Sequence, residues 1–393
     1  MFTIPLQDPI LIMALLTTIM VVVPFLAKLL RLPSMVLLIL LGMIVGTHVL
    51  GVLQRDSQLI LLEKIGLLYI MLLAGVQMDL SNLKRLGKRS LIFGGLTFLI
   101  PFGFGIMAGK LLHLTWIASC IIGLIYSPHV LIAYPTMTRL GLAQKEFVGV
   151  TVGATAITSF LTLAAFSIIQ GSAMGTLGSL FWAKLLLGLP ILIALSFWGV
   201  PKIGRHFIKE SQPNLIPQYI FVLFTLFFIA GITSLLGIDA IVGAFIAGLA
   251  LNSLIPLKSK LMEQIEFVGN GIFIPCFMIS VGVLCNPSIF FTNPGIIAIA
   301  ALVYSLSIIG KAIPTAIAAK LFHYNTLEGI TMLSLTLARA ALVVVIALFA
   351  KQFELITDEL FNVSIAYILL TCLTGTILTE WSAPKLVSSA QGA

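Results

Sequence analysis

The sequence predicts an all-α polytopic membrane protein with about 13 transmembrane helices, arranged as inverted six-helix repeats. Three observations support this fold class: the composition, the recurrence of long apolar stretches and the placement of basic residues. Of 393 residues, 60% are hydrophobic and 9% are charged, and the mean hydropathy is +1.16. Soluble domains carry about 25% charged residues, so this composition excludes an ordinary soluble protein.

Apolar stretches that approach the length of a membrane span recur along the whole chain. A span needs about 20 mostly apolar residues. The predicted spans cover residues 9–28, 34–51, 58–78, 89–110, 114–137, 146–170, 180–201, 216–236, 238–255, 266–285, 293–320, 326–351 and 358–380. No cleavable signal peptide is expected, because residues 1–9 lack a basic region and the first apolar stretch is long enough to span.

Lysine and arginine residues are distributed unevenly between the two sides of the predicted bundle. Most of the 22 fall in alternate loops, beginning with the first loop, and in the C-terminal tail. Because basic residues accumulate in cytoplasmic loops, the N-terminus is predicted outside and the C-terminus in the cytoplasm. The net charge of +8 is therefore assigned to membrane topology, and no nucleic-acid partner is expected.

The predicted spans divide into two sets of six around one linker span. The whole chain, 1–393, would form a single transporter domain, with residues 1–175 as the first repeat and 216–385 as the second. Residues 176–215 would supply the linker helix and a cytoplasmic loop, and 386–393 the tail. One linker span gives the two repeats opposite orientations, which is the arrangement of inverted-repeat transporters.

The fifth span of each predicted repeat contains residues that can interrupt a membrane helix. In the first repeat it contains Tyr126-Ser127-Pro128-His129, and in the second it contains the polar residues Ser334, Thr336 and Arg339. Broken helices present unpaired amides and carbonyls at mid-membrane, where they can bind an ion. The matching positions of the two interruptions therefore predict a substrate site.

Two cations lie in stretches otherwise suited only to hydrocarbon. Lys311 stands in Ile308-Ile309-Gly310-Lys311-Ala312-Ile313, and Arg339 in Thr336-Leu337-Ala338-Arg339-Ala340. A charge at bilayer depth costs a few kcal/mol, so such residues usually face a bundle interior and mark a transport path. The alternative roles are structural: Lys311 would neutralise helix-end carbonyls, and Arg339 would lock neighbouring helices together.

Several motifs stand in the order of a known family. They are Leu40-Leu41-Gly42-Met43-Ile44-Val45-Gly46, Leu72-Leu73-Ala74-Gly75-Val76-Gln77-Met78-Asp79, Gly243-Ala244-Phe245-Ile246-Ala247-Gly248-Leu249, and Phe273-Ile274-Pro275-Cys276-Phe277 with Ser280-Val281-Gly282. Together with Gly310-Lys311, they resemble the monovalent cation:proton antiporter-2 family of sodium/proton and potassium/proton exchangers. The resemblance covers nearly the whole chain. It implies the sodium/proton antiporter fold: a homodimer with a mobile core domain, in which spans 5 and 12 are crossed broken helices.

The chain departs from this family where the family binds its ion. Members usually carry an Asp-Asp or Asn-Asp pair in the sixth span, after a Gly-Ala run. Aligned on Gly153-Ala154, Thr158 and Ser159 occupy those carboxylate positions. The Arg-Gly-Glu of the twelfth span is reduced to Arg339-Ala340-Ala341, and no Asp or Glu remains in the middle of spans 5, 6, 11 or 12.

The missing carboxylates leave three interpretations open. In the first, which the resemblance favours, Lys311 carries the proton and its neutral form admits sodium or potassium beside Thr158 and Ser159. These hydroxyls would be neutral, weak ligands for a monovalent cation, and exchange would be electroneutral. In the second, the uncompensated cations favour an anion such as chloride, bicarbonate or a small carboxylate. In the third, the protein is a transport-inactive relative.

Three further residues complete the set of candidate ion-binding residues: Ser127, His129 and Arg339. His129 titrates near physiological pH in its unperturbed form, whereas arginine stays charged. No Ser/His/Asp set, phosphate-binding loop or Cys/His cluster is visible, and the four cysteines have no metal-ligand spacing. We therefore expect no enzyme and no cofactor. The expected partners are monovalent ions, protons, the lipid bilayer and a second copy, in a bacterial inner membrane.

Overall fold

The structure, a computed structural model, describes residues 4–30, 32–78, 80–131, 133–174, 178, 184–210, 214–339 and 341–391. Parts of the predicted linker and tail, at residues 176–177, 179–183, 211–213 and 392–393, lie outside the described residues, as do Arg31 and Asp79. The chain divides into two compact units. The first comprises Met1–Met78 and Met174–Asn286, and the second comprises Asp79–Ala173 and Pro287–Ala393. The boundaries of the two inverted repeats stay a prediction.

All regular secondary structure in the described residues is helical. In chain order the helices are α1 (Pro9–Leu30), α2 (Ser34–Val45), α3 (Ser57–Val76), α4 (Leu80–Leu111), α5 (Trp116–Tyr126), α6 (Tyr134–Arg139), α7 (Glu146–Ala173), α8 (Leu189–Glu210), α9 (Leu215–Leu235), α10 (Ala240–Asn252), α11 (Lys260–Val268), α12 (Ile274–Val283), α13 (Ile289–Thr292), α14 (Pro294–Leu321), α15 (Thr326–Leu337), α16 (Ala341–Gln352) and α17 (Asp358–Gln391). π-Helical turns at Lys184–Gly188 and Gly269–Phe273 precede α8 and α12.

Helices occupy every predicted span for which residues are described. In the part of the chain that the structure describes, nine helical stretches are long and apolar enough to cross a membrane, one of them made of α11, a π-helical turn and α12; the pair α15–α16 is a further span bent by 40°. The helices of the predicted second, fifth and ninth spans, α2, α5 and α10, are shorter apolar helices of 10–17 residues. The all-helical, membrane-spanning fold is therefore confirmed. The count of thirteen crossings stays a prediction.

Close backbone contact joins α2 and α12 in the first unit. A Cβ atom added to Gly42 would lie 2.3 Å from the carbonyl oxygen of Ile279. A Cβ atom added to Gly282 would lie 2.2 Å from the carbonyl oxygen of Ile39. Real side chains do not approach so closely, so only glycine permits this packing, as is common where membrane helices touch.

Glu63 of α3 is a buried carboxylate that the sequence analysis did not single out. It is 2% exposed and accepts hydrogen bonds from Arg55 Nε (2.9 Å), another Arg55 nitrogen (2.8 Å) and Ser280 Oγ (2.6 Å). The hydrogen bonds that Arg55 donates to Glu63 raise the pKa of Arg55. Both carboxylate oxygens are paired, so this group ties α3 to α12 and is not left as a free ligand for an ion.

The first interrupted helix of the second unit has a local explanation. Helix α5 begins where the Thr115 side chain accepts a hydrogen bond from the backbone N–H of Ala118 (3.2 Å), and it ends at Tyr126. The next residue, Ser127, still has helical backbone angles, but Pro128 after it has no backbone N–H to donate to the preceding turn, so the helical hydrogen bonds stop here. Helix α6 resumes at Tyr134. The predicted break in the fifth span is therefore present.

The second interrupted helix has no such local signal. Helix α15 begins with a capping box, in which Asn325 and Glu328 exchange hydrogen bonds with each other's backbone N–H. It ends at Leu337, and Ala338 has an extended backbone with ψ of 130°. Neither proline nor glycine stands between residues 337 and 341. The contacts made by the next side chain, Arg339, account for this break.

Candidate functional site

The two interrupted helices meet at their breaks. The backbone N–H of Val130, just after α5, donates a hydrogen bond of 3.0 Å to the carbonyl oxygen of Ala338, just after α15. The helix interruptions therefore cross, as predicted, inside the second unit. A crossing of this kind places several unpaired backbone carbonyls in one buried region, where each needs a donor or a cation.

Arg339 pairs with carbonyl groups at the ends of both half-helices. One guanidinium nitrogen, Nη1, lies 2.7 Å from the carbonyl oxygens of Thr336 and Leu337, at the end of α15. The other, Nη2, lies 2.9 Å from the carbonyl oxygen of Tyr126, at the end of α5. A helix C-terminus carries partial negative charge, so the buried guanidinium stabilises both ends. This geometry supports the structural interpretation of Arg339.

Lys311, on α14, is fully buried and binds the same crossing from another side. Its Nζ atom donates to the carbonyl oxygen of Ser127 (2.6 Å), at the end of α5, and to that of Thr97 (2.8 Å), on α4. The third neighbour is His129 Nδ1, at 3.4 Å. The Lys311 ammonium is therefore surrounded by neutral acceptors: one backbone carbonyl on α4, one at the end of α5, and the ring nitrogen of His129.

A group of threonine hydroxyls continues the site along α7. Thr158 Oγ1 lies 3.2 Å from Thr97 Oγ1, and it is also hydrogen-bonded to the carbonyl oxygens of Ala154 (2.8 Å) and Gly94 (3.2 Å). Thr155, three residues earlier, places Oγ1 2.9 Å from His129 Nε2. Hydroxyl and carbonyl oxygens are the only oxygen ligands that these residues offer to a cation.

The structure brings most of the predicted site residues together. Lys311, His129 and Ser127 are in direct contact, and Thr158 joins them through Thr97. Ser127 contributes its carbonyl group, because its hydroxyl donates to the carbonyl oxygen of Gly123, 2.8 Å away. The structure records no hydrogen bond between the side-chain hydroxyl of Ser159, which is partly buried, and another described residue.

Sequence reasoning missed Thr97 and Thr155. Thr97 is an ordinary threonine inside an apolar helix, and Thr155 follows Gly153-Ala154 at a position of that run to which the resemblance gives no role. A hydroxyl in a membrane helix usually bonds to the preceding turn, as Thr97 does with the carbonyl oxygen of Phe93 (2.9 Å). Only the packing of the helices shows that the Thr97 carbonyl contacts Lys311 and that the Thr155 hydroxyl contacts His129.

The site carries positive charge without a carboxylate. In the described part of the second unit the acidic residues are Glu146, Glu328, Glu354, Asp358, Glu359 and Glu380, and none of them is buried. Among the residues that the structure describes, no group of three or more His, Cys, Asp or Glu side chains could hold a metal ion. A cation in this site would therefore meet only neutral oxygen and nitrogen ligands.

Crossed half-helices around a buried lysine, in a bundle of membrane-spanning helices, are typical of transporters built from inverted repeats. The chain belongs to the family described as Sodium/hydrogen exchanger, transmembrane, which it matches over residues 13–383. This family consists of transporters and not of enzymes, and the match confirms the family resemblance seen in the sequence motifs.

Two similar proteins illustrate the range of relatives. The "Na(+)/H(+) antiporter NhaS5" of Synechocystis sp. is 30% identical over 388 residues, which cover 97% of this chain and 55% of that protein. The "Probable Na(+)/H(+) antiporter 3" of Methanocaldococcus jannaschii is 26% identical over 370 residues, which cover 92% of each chain. The chain thus spans about half the length of the first relative and most of the second.

A solved structure supports the fold. The sodium proton antiporter MjNhaP1 from Methanocaldococcus jannaschii, determined at pH 8, superimposes with a TM-score of 0.71 at 18% sequence identity. The match covers 96% of this chain and 98% of that one. At this identity the comparison establishes the architecture, and the role of each side chain rests on the contacts described above.

Proposed function

We propose that the protein is a secondary active transporter that exchanges a monovalent cation, sodium or potassium, for a proton by alternating access. The family and the names of its relatives support this activity. The observation that carries the proposal is the position of Lys311 Nζ, which lies 2.6 Å and 2.8 Å from two backbone carbonyl oxygens in the crossing.

These carbonyl groups can bind either an ammonium group or a metal cation. Backbone carbonyls replace the hydration shell of monovalent cations in ion-conducting proteins. While Lys311 is protonated, its ammonium occupies the carbonyl oxygens of Thr97 and Ser127 and repels a second cation. Once Lys311 has released its proton, the amine is neutral and the same oxygens accept sodium or potassium. Proton and cation thereby exclude each other, which is the requirement for antiport.

Charge balance follows from this competition. One proton leaves Lys311 for each cation that enters, so the site holds the same charge in both loaded states. We infer electroneutral exchange of one proton for one cation. The hydroxyl of Thr158, close to Thr97, supplies a neutral oxygen ligand, and Ser159 a weaker one. His129 is a further nitrogen beside the exchange point, and Arg339 maintains the crossing.

The donors of the two buried cations argue against an anion as the substrate. Nη1 and Nη2 of Arg339 already donate to three carbonyl oxygens, and Lys311 donates to two. The Arg339 Nε atom is the one guanidinium nitrogen without a partner among the described residues. An anion would have to displace these backbone carbonyls from their donors, which is costly in a buried site.

Sidedness and assembly complete the proposal. The basic loops support a location of the N-terminus outside and the C-terminus in the cytoplasm. The bacterial relatives support placement in a bacterial plasma (inner) membrane. The family resemblance supports a homodimer.

Flux in proteoliposomes tests the proposal. With a pH gradient imposed and reported by a pH-sensitive dye, we expect sodium or potassium to drive proton movement at equal membrane potential. Chloride and bicarbonate, each offered with an impermeant counter-ion, are the matched controls. Proton movement that follows only the anion supports the alternative of an anion transporter, and no movement with any ion supports an inactive relative; either result overturns the proposal.

A further inference from the structure

His129 is held between Lys311 and Thr155, and the direction of each hydrogen bond follows from the donors and acceptors available. The ring places Nδ1 3.4 Å from Lys311 Nζ and Nε2 2.9 Å from Thr155 Oγ1. The residue is 1% exposed, so both ring nitrogens depend on the protein for their partners. A neutral imidazole carries one hydrogen, on either Nδ1 or Nε2, and only one of these tautomers satisfies the neighbours.

The Thr155 side of the ring sets the tautomer. Thr155 Oγ1 lies 2.9 Å from the carbonyl oxygen of Thr151, one helical turn earlier. A carbonyl oxygen can only accept, so the single hydroxyl hydrogen of Thr155 is committed to it. The hydroxyl then offers only a lone pair to the imidazole. The hydrogen of His129 must therefore be on Nε2, which donates to Thr155.

The Lys311 side of the ring is consistent with the same tautomer. An ammonium has three N–H donors and no acceptor. The carbonyl oxygens of Thr97 and Ser127 accept two, and the unprotonated Nδ1 faces the third. The opposite tautomer would point an N–H at the ammonium, and buried donors would be left unpaired.

We propose that Thr155 is a positioning residue that fixes His129 as its Nε2–H tautomer and so keeps the Nδ1 lone pair directed at Lys311. This role rests on the proposed function, because it matters for transport only if Lys311 exchanges the proton. A fixed acceptor holds Lys311 Nζ against the two carbonyl oxygens. Proton release and cation entry then occur at one point, which is what competition between them requires.

The tautomer itself is measured by 15N NMR on protein labelled at histidine. Replacement His129→Gln identifies the signals of this residue among the five histidines. We expect a protonated Nε2 and an unprotonated Nδ1 in the wild type and in Thr155→Ser, which keeps the hydroxyl. Thr155→Val lacks the acceptor and is expected to lose the single-tautomer signature. Detection of the Nδ1–H tautomer in the wild type overturns the proposal.

Transport provides the second readout. Thr155→Val is expected to lower the maximal rate of cation-driven exchange about tenfold, the effect of one lost hydrogen bond in a buried polar cluster. Thr155→Ser should restore it. Thr162→Val is the matched control, because this buried hydroxyl on the same helix bonds to the carbonyl oxygen of Thr158 (2.7 Å) and to no other group among the described residues.

The two readouts separate the failure of this inference from the failure of the proposed function. Wild-type exchange rates in Thr155→Val contradict the positioning role even if the protein is an antiporter. The Nε2–H tautomer in a protein that exchanges neither sodium nor potassium supports the assignment of Thr155 and rejects the antiport proposal instead.

Discussion

The variant Lys311→Arg is expected to lose cation-driven proton movement, roughly a hundredfold or more, the range for removal of a group that transfers the proton. Arginine keeps the positive charge and can still donate to the carbonyl oxygens of Thr97 and Ser127. It does not release its proton in proteins. The carbonyl pair would therefore stay occupied by a permanent cation, and neither sodium nor potassium could enter. Dye-reported flux in proteoliposomes measures the loss.

This substitution distinguishes transport from a structural role. If Lys311 only neutralises helix-end carbonyls, Lys311→Arg should keep most of its activity, and that result would contradict the account. Lys311→Ala removes both the group that exchanges the proton and the donor that pairs with the two carbonyl groups. Each stranded group costs about 1–3 kcal/mol, so the alanine variant should be less stable than the arginine variant. Thermal unfolding in detergent provides that comparison.

The second large effect is a gain. Replacement Thr158→Asp is expected to lower the sodium concentration for half-maximal exchange about tenfold, because a desolvated carboxylate prefers a bound proton or cation to a bare charge. Thr158 is fully buried and its Oγ1 lies 3.2 Å from Thr97 Oγ1, within the site that holds Lys311. The new carboxylate would add a second group that trades a proton for the cation. Exchange should then respond to membrane potential, which the wild type should not.

Two further variants serve as comparisons for Thr158→Asp. Ser159→Asp adds the same charge one residue further along α7, at a side chain for which the structure shows no hydrogen bond to a described residue, so its effect should be smaller. The double variant with Asp at both positions tests whether the scaffold supports an acidic pair. If Thr158→Asp changes neither sodium dependence nor the response to membrane potential, Thr158 is not beside the transported ion.

Much of the fold was accessible from the sequence because the bilayer imposes simple rules. Long apolar stretches located the membrane helices, and Pro128 marked the end of α5. The break after α15 is different, because the residues there are unremarkable helix formers. It is maintained by Arg339, which pairs with carbonyl groups from two separate helices, and in advance only its polar residues and the family resemblance indicated it.

The site was less predictable than the fold. Lys311 was recognisable in the sequence because a charge in an apolar stretch is rare. In the structure its side chain is fully buried, as expected for a charge inside a membrane bundle. Thr97 and Thr155 gave no signal, since their importance depends on which helix face packs beside Lys311. Ser127 was selected as a residue of the interrupted span, and it is its backbone carbonyl that contacts the lysine. The identity of a residue does not indicate whether its backbone carbonyl will contact a distant side chain.

The most direct test of Lys311 as the exchanging group is to count the protons released when a cation binds. Purified protein in weakly buffered detergent solution is titrated with sodium chloride or potassium chloride, with choline chloride as the control for ionic strength. Ligand groups that lose a proton on binding a cation report that binding in the solution pH. We expect release of about one proton per cation bound in the wild type and none in Lys311→Arg. Cation binding by the wild type without proton release would contradict this role of Lys311.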